Sequence, residues 1–241
     1  MRQPVLFLLA IGPVLAAAGC GQYHTALSMS PTVQQDVPST SLRPISLATQ
    51  QTALAFVSDL DARTINIYNF PAIGKPIGGF SGLAYAPCSD SAGNVWVSGV
   101  YNEKAAMLEY RHDGTGPIDH IASPTMTPYG CAVDSTSGNL AVAGYTTASQ
   151  TASLAVYPKA KGPAKIYLDP NIEEFLYCAY DSMGNLLGQG RSGSPRTKGI
   201  AELQKGSKEL QDVDITNDEG QPPGGVQWDG SYFVIGYGGA D

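Results

Sequence analysis

The chain has 241 residues, with 14 lysines and arginines against 21 aspartates and glutamates and a formal net charge of −7. Such a surface repels phosphate backbones, which argues against a nucleic-acid partner. Only 15% of the residues are charged, while 28 glycines, 17 prolines and 13 tyrosines favour short strands and tight turns over helices.

Residues 1–19 read as an export signal. Arg2 supplies a positive start, and Pro4 to Ala18 is apolar but too short, and too interrupted by Gly12 and Pro13, for a transmembrane helix. The stretch ends in Ala17-Ala18-Gly19-Cys20, which resembles the lipobox of bacterial lipoproteins, with Ala17 where that motif usually has leucine. The resemblance implies lipidation of Cys20 as the mature N-terminus and a membrane partner through that lipid. Gly21, rather than aspartate, then implies sorting to the outer membrane. The alternative is ordinary cleavage after Ala18, which gives a soluble periplasmic or secreted protein. Loss of residues 1–19 removes Arg2 and leaves 13 basic against 21 acidic side chains. Residues 20–52 are rich in Ser, Thr, Gln and Pro and read as a tether, because so few large apolar groups cannot offset the entropy of ordering. Residues 53–241 are the folded domain.

Within that domain one pattern returns. Cys88-Ser89-Asp90 leads to Gly93-Asn94, Cys131-Ala132-Val133-Asp134 to Gly138-Asn139, and Cys178-Ala179-Tyr180-Asp181 to Gly184-Asn185. The Gly-Asn pairs are 45 and 46 residues apart, and Asp229-Gly230 follows as a fourth copy. A second set of positions, Tyr68, Tyr110, Tyr157 and Leu203, keeps the period at intervals of 42, 47 and 46. Each unit reads as four strands. In the clearest, Tyr129 to Asp134 is an inner strand, Ser135 to Asn139 a turn, and Leu140 to Tyr145, Ser153 to Tyr157 and Ala164 to Leu168 the remaining strands. A four-strand unit of about 45 residues, repeated, predicts an all-β propeller. Its blades are expected at 54–80 with a weak innermost strand, at 81–127, 128–173 and 174–220 complete, and at 221–241 as a first half. This count, about 4.5 blades, reads as part of a propeller of six.

The sequence Tyr129-Gly130-Cys131-Ala132-Val133-Asp134, with its Gly138-Asn139 turn and aliphatic strand, resembles an NHL-type blade. With Phe56-Val57-Ser58-Asp59 and Gly224 to Gly230, the pattern is similar to uncharacterised bacterial NHL-like secreted propellers over about residues 53–237. The resemblance implies fold and leaves function open.

Candidate chemistry is sparse. Asp90, Asp134, Asp181 and Asp229 precede turns and are expected to accept backbone N–H groups there, since a calcium loop needs more oxygen ligands than one recurring carboxylate. Cys88, Cys131 and Cys178 occupy like places in consecutive blades and admit three readings: buried thiols, one disulfide, or a metal site lacking local spacing. Of the histidines, His24 lies in the tether and His112 and His120 flank the Asp113-Gly114 turn of an outer hairpin. No nucleophile elbow, zinc-protease helix or phosphate loop occurs. Tyr85, Trp96, Tyr129, Tyr145, Tyr177, Tyr180, Trp228 and Tyr237 lie near strand ends, where they pack blades together or receive a sugar or peptide. The expected function is a lipid-anchored propeller that binds a protein, peptide or carbohydrate, with no cofactor and no catalytic residue assigned. The competing expectation is a metal-dependent, lactonase-like hydrolase or lyase with its site in the central channel.

Overall fold

The computed structural model describes residues 53–59, 61–71, 74–81, 86–112, 116–123, 126–192, 197–215 and 223–237. The signal, the tether with Cys20 and His24, Tyr85 and the Asp113-Gly114 turn lie outside the described residues. Among those described, the only helical piece is one short 3-10 turn, Pro158–Ala160. The rest is antiparallel sheet. Strands β1 (Ala53–Asp59), β2 (Thr64–Phe70) and β3 (Gly78–Ser81) form a first sheet. Then β4 (Cys88–Ser89), β5 (Val95–Tyr101), β6 (Lys104–Tyr110) and β7 (Asp119–Ala122) form the second. The third comprises β8 (Met126–Val133), β9 (Leu140–Thr146), β10 (Ala152–Tyr157) and β11 (Lys165–Asp169). The fourth comprises β12 (Glu174–Tyr180), β13 (Leu186–Ser192), β14 (Thr197–Leu203) and β15 (Gln211–Asp212). Strands β16 (Pro223–Trp228) and β17 (Phe233–Tyr237) pair as the fifth.

These sheets are the expected blades, with one difference at the start. Tyr68 sits in β2 but matches Tyr110 and Tyr157 at the ends of the third strands β6 and β10. Strands β1, β2 and β3 are therefore the second, third and outermost strands of their blade. The weak innermost strand expected within 54–80 has no counterpart there; its place in the repeat falls before residue 53, outside the described residues.

Burial follows from stacking. Strand β9 is buried on both faces from Leu140 to Gly144, because blades cover it on either side, and it reads as a continuous apolar run rather than an alternating one. The outermost strand β11 leaves Lys165, Ile166 and Leu168 exposed. The core is divided accordingly. One apolar cluster joins the first two blades through Phe56, Ile65, Ile67, Val95 and Val97. A second joins the next pair through Trp96, Met107, Met126, Leu140 and Val142. A third is built on Leu154, Phe175, Leu186 and Leu203, and a fourth on Ala179, Leu187, Ile200 and Val226.

The innermost strands converge. Ala86 and Gly130 form a parallel bridge between the second and third blades. A Cβ built on Gly130 would lie 2.5 Å from the carbonyl oxygen of Leu176, so only glycine lets the third and fourth blades meet there. Strands β8, β12 and β16 each carry a register shift at this level, between Pro128 and Cys131, Phe175 and Tyr177, and Pro223 and Gly225. Two side chains of preceding blades address these bulges. Gln189, fully buried, accepts from the Gly225 N–H at 3.2 Å and donates from Nε2 to the Gly236 carbonyl at 3.1 Å. Ser98, four residues after Asn94 as Gln189 is after Asn185, donates to the Tyr129 carbonyl at 3.4 Å.

Phe175 has no exposed surface and centres the third seam. Phe175→Ala should cost about 3–5 kcal/mol of unfolding free energy in urea titration; a loss below about 1 kcal/mol would show that the seam does not carry the fold.

Candidate functional site

The recurring Asp-Gly-Asn turn is the most elaborate polar constellation among the described residues. In the fourth blade, Asp181 Oδ1 accepts from the backbone N–H groups of Met183 and Asn185, both at 2.8 Å, and Asn185 Nδ2 donates to Asp181 Oδ2 at 2.7 Å. In the second blade Asp90 accepts from Ala92 N at 2.9 Å and Asn94 N at 2.8 Å, and Asn94 Nδ2 donates to its other oxygen at 3.2 Å. The glycine before each asparagine has φ of 81° at Gly93, 72° at Gly138 and 87° at Gly184, the left-handed conformation the turn requires.

The third blade has one extra residue between Asp134 and Asn139, and a hydroxyl spans the gap. Ser137 Oγ donates to Asp134 Oδ2 and accepts from Asn139 N at 3.2 Å. Thr136 adds its own N–H and hydroxyl at 2.9 and 2.8 Å. Burial opposes the charge of Asp134, but the bonds from Ser137 and Thr136 outweigh it and hold the carboxyl below the ordinary range. Asp229 is likewise lowered by the N–H groups of Tyr232 and Ser231, at 2.7 and 2.8 Å.

The asparagines reach beyond their own turns. Asn139 Oδ1 accepts from Lys159 N at 3.0 Å, and Asn185 Oδ1 from Lys205 N at 2.9 Å. Each therefore ties the turn between the first two strands to the turn after the third. Asn94 instead donates to Glu109 at 3.0 Å. Burial and then the Asp90 charge raise the Glu109 carboxyl, and the Asn94 bond only partly offsets them.

Cys88 and Cys131 form a disulfide across the seam between the second and third blades, with Cα atoms 5.5 Å apart, and Cys178 is a free buried thiol. Burial pushes Cys178 up to about 12. Among the described residues no three His, Cys, Asp or Glu side chains come together as a metal site. The three cysteines are not equivalent. Cys88 stands two residues before its aspartate, whereas Cys131 and Cys178 stand three before theirs. Successive strand side chains point to opposite faces, so Cys88 faces the next blade while Cys131 faces the previous one. The same positions at the following seam hold Ala132 and Cys178, and both lie in the third apolar cluster.

Other titratable groups occupy the rim. Asp169, at the end of β11, is raised by burial and by the Asp212 carboxyl of the next blade, whose Oδ2 accepts from Asn171 Nδ2 at 2.8 Å. Arg191 pairs with Glu174 within the fourth blade. His112 is exposed, and His120 lies on outer strand β7, stacked on Tyr101 with ring centroids 3.7 Å apart. Three of the eight expected aromatics serve the seams: Trp96 is 2% exposed in the second cluster, and Tyr180 and Tyr177 pack against the third and fourth. Trp228 meets Phe233 edge-on, and Tyr129 lies 5.9 Å from Tyr145. Tyr237 ends β17.

No protein-family model and no curated protein match the chain. Solved structures do. Hydrazine synthase of Kuenenia stuttgartiensis aligns with a TM-score of 0.61 at 12% identity, over 76% of this chain and 58% of its own. The nidogen/laminin complex aligns with a TM-score of 0.54 at 12% identity, over 77% of this chain and 72% of that one. This chain thus spans somewhat over half of the hydrazine synthase chain. Both neighbours contain β-propellers, and at this identity the likeness is one of fold alone. The chain is a β-propeller protein, with three four-stranded, one three-stranded and one two-stranded blade among the described residues.

Two expectations follow. In a Cys20→Ser background, Ala132→Cys should join Cys178 and reduce the titratable thiols of the unfolded chain from one to none; two reactive thiols would contradict the stagger. Because the folded state lowers Asp134, its contribution should be present above about pH 4 and fade as pH falls through the depressed value. By chemical denaturation, Asp134→Asn should therefore cost about 1–3 kcal/mol at pH 7 and progressively less as the pH is lowered below about 4, whereas a cost unchanged over that range would contradict the charge argument.

Proposed function

We propose that the chain is an envelope-anchored lipoprotein whose NHL-like propeller is a non-catalytic scaffold for a protein, peptide or carbohydrate ligand. The observation that carries this reading is the use made of the recurrent polar residues. Asp90, Asp134 and Asp181 have both carboxylate oxygens occupied by donors of their own turns, so the repeat supplies a rigid frame rather than open ligands. The disulfide between Cys88 and Cys131 supports an oxidising compartment, where such bonds persist. The lipobox-like ending at Cys20 supports anchoring, with outer-membrane sorting implied by Gly21.

In a Gram-negative host fed labelled palmitate, the wild-type chain should carry label and fractionate with the outer membrane, and Cys20→Ser should be unlabelled and soluble. Label retained by Cys20→Ser would refute the anchor. Purified protein assayed on lactones with calcium, manganese or zinc should show no turnover above background; turnover abolished by chelation would overturn the non-catalytic reading.

A further inference from the structure

We propose that the end of the propeller formed by the Asp-Gly-Asn turns docks on an anionic lipid surface. Within each blade, the turn joining the first two strands and the turn following the third lie at the same end, and the Asn139 and Asn185 bonds hold them together. This topology gathers lysines distant in sequence. Lys159 and Lys161 come from the third blade and Lys205 and Lys208 from the fourth, all exposed. Among the described residues none of them forms an ion pair with a carboxylate. Lys161 lies near enough to Glu109 to ease its carboxyl, and Lys205 Nζ would lie 3.2 Å from a Cβ on Gly184, close to Asp134. The acids Asp134 and Asp181 at this end are buried within their turns, and Glu209 is an exposed carboxylate beside the lysines. Two further exposed carboxylates stand at this end: Asp119, which lines the same surface cleft as Lys161, and Asp229, on the turn that carries Tyr232. The opposite end carries exposed Asp61, Glu103 and Glu173 with Arg63 and Lys104, while Arg191 is paired with Glu174.

Apolar groups complete the face. Tyr232, 74% exposed, and Met183, 66% exposed, are the most exposed large hydrophobic side chains among the described residues, and both are on these turns. Asp181 fixes the Met183 backbone and Asp229 that of Tyr232, so the turn that anchors each main chain leaves the side chain outward. Lysines around protruding apolar tips match an anionic bilayer surface, where headgroups meet the cations and tips enter the acyl boundary. A nucleic acid would match the lysines but leave Met183 unexplained.

The test uses the purified chain carrying Cys20→Ser, which removes the lipid and separates this inference from the anchor. It should sediment with vesicles of phosphatidylglycerol and phosphatidylcholine but not with phosphatidylcholine alone, and salt should weaken the binding. Replacing Lys159, Lys161, Lys205 and Lys208 by Gln should lower affinity about a hundredfold or more. Met183→Ser with Tyr232→Ser should lower it about tenfold with the salt dependence retained. Binding that ignores phosphatidylglycerol, or survives loss of the lysines, overturns the proposal. Binding of a DNA duplex without binding of vesicles also overturns it and assigns the lysines to another partner.

Discussion

The fold rests on the seam between blades. A four-stranded sheet with two apolar faces has no stable existence by itself, and here each described middle blade is covered on both sides. The seams are separate apolar clusters rather than one core, so stability is close to a sum of nearest-neighbour terms. This explains the small residues of β9, where Ala141 and Ala143 are wholly buried, beside large ones such as Phe175 and Leu154. Bulk supplied by one blade needs space left by its neighbour. Space is left within a blade as well: a Cβ on Gly188 would lie 2.9 Å from the Phe175 ring of the adjacent strand.

The turns set the registration of those seams. An aspartate that closes the first turn, and an asparagine that reaches the next, fix three strands of a blade to one another before any neighbour is considered. In the third blade the same result is reached with an added residue because the Ser137 hydroxyl relays the bond. The geometry is therefore maintained by donors and acceptors rather than by loop length. The side chain two places after the aspartate differs from blade to blade: Ala92, Thr136 and Met183 stand there. The invariant part of the repeat builds the frame, and this variable position distinguishes one blade from the next.

Much of this was legible in the sequence. The period, the four-strand unit and the role of the aspartates followed from turn chemistry and alternation, which are local. The cysteines were harder because the apparent equivalence of Cys88, Cys131 and Cys178 conceals a one-residue offset. A strand alternates faces, so that offset decides which thiol finds a partner, and the spacing to each aspartate carried the information. Of the three readings the cysteines admitted, one disulfide and one buried thiol are realised, because the inner strands converge, as the bridge from Ala86 to Gly130 records. Asp169 and Asp212, Gln189 with its bonds across to β16 and β17, and the lysines of two different turns were not legible in the same way. Their partners lie in another blade, and only the stacking of blades brings them together.

The position of the disulfide has a physical logic. The disulfide links the inner strands of the second and third blades, at Cys88 in β4 and Cys131 in β8. Cross-linking Cys88 to Cys131, 43 residues apart, removes about 4 kcal/mol of loop-closure entropy from the unfolded chain. The covalent bond thus ties these two inner strands together close to where Ala86 and Gly130 bridge them. At the next seam β12 is long and Phe175 fills the interface, so Cys178 can remain a buried thiol without loss. Chemical cross-linking and close packing are alternative solutions to the same requirement, and the two seams use one each.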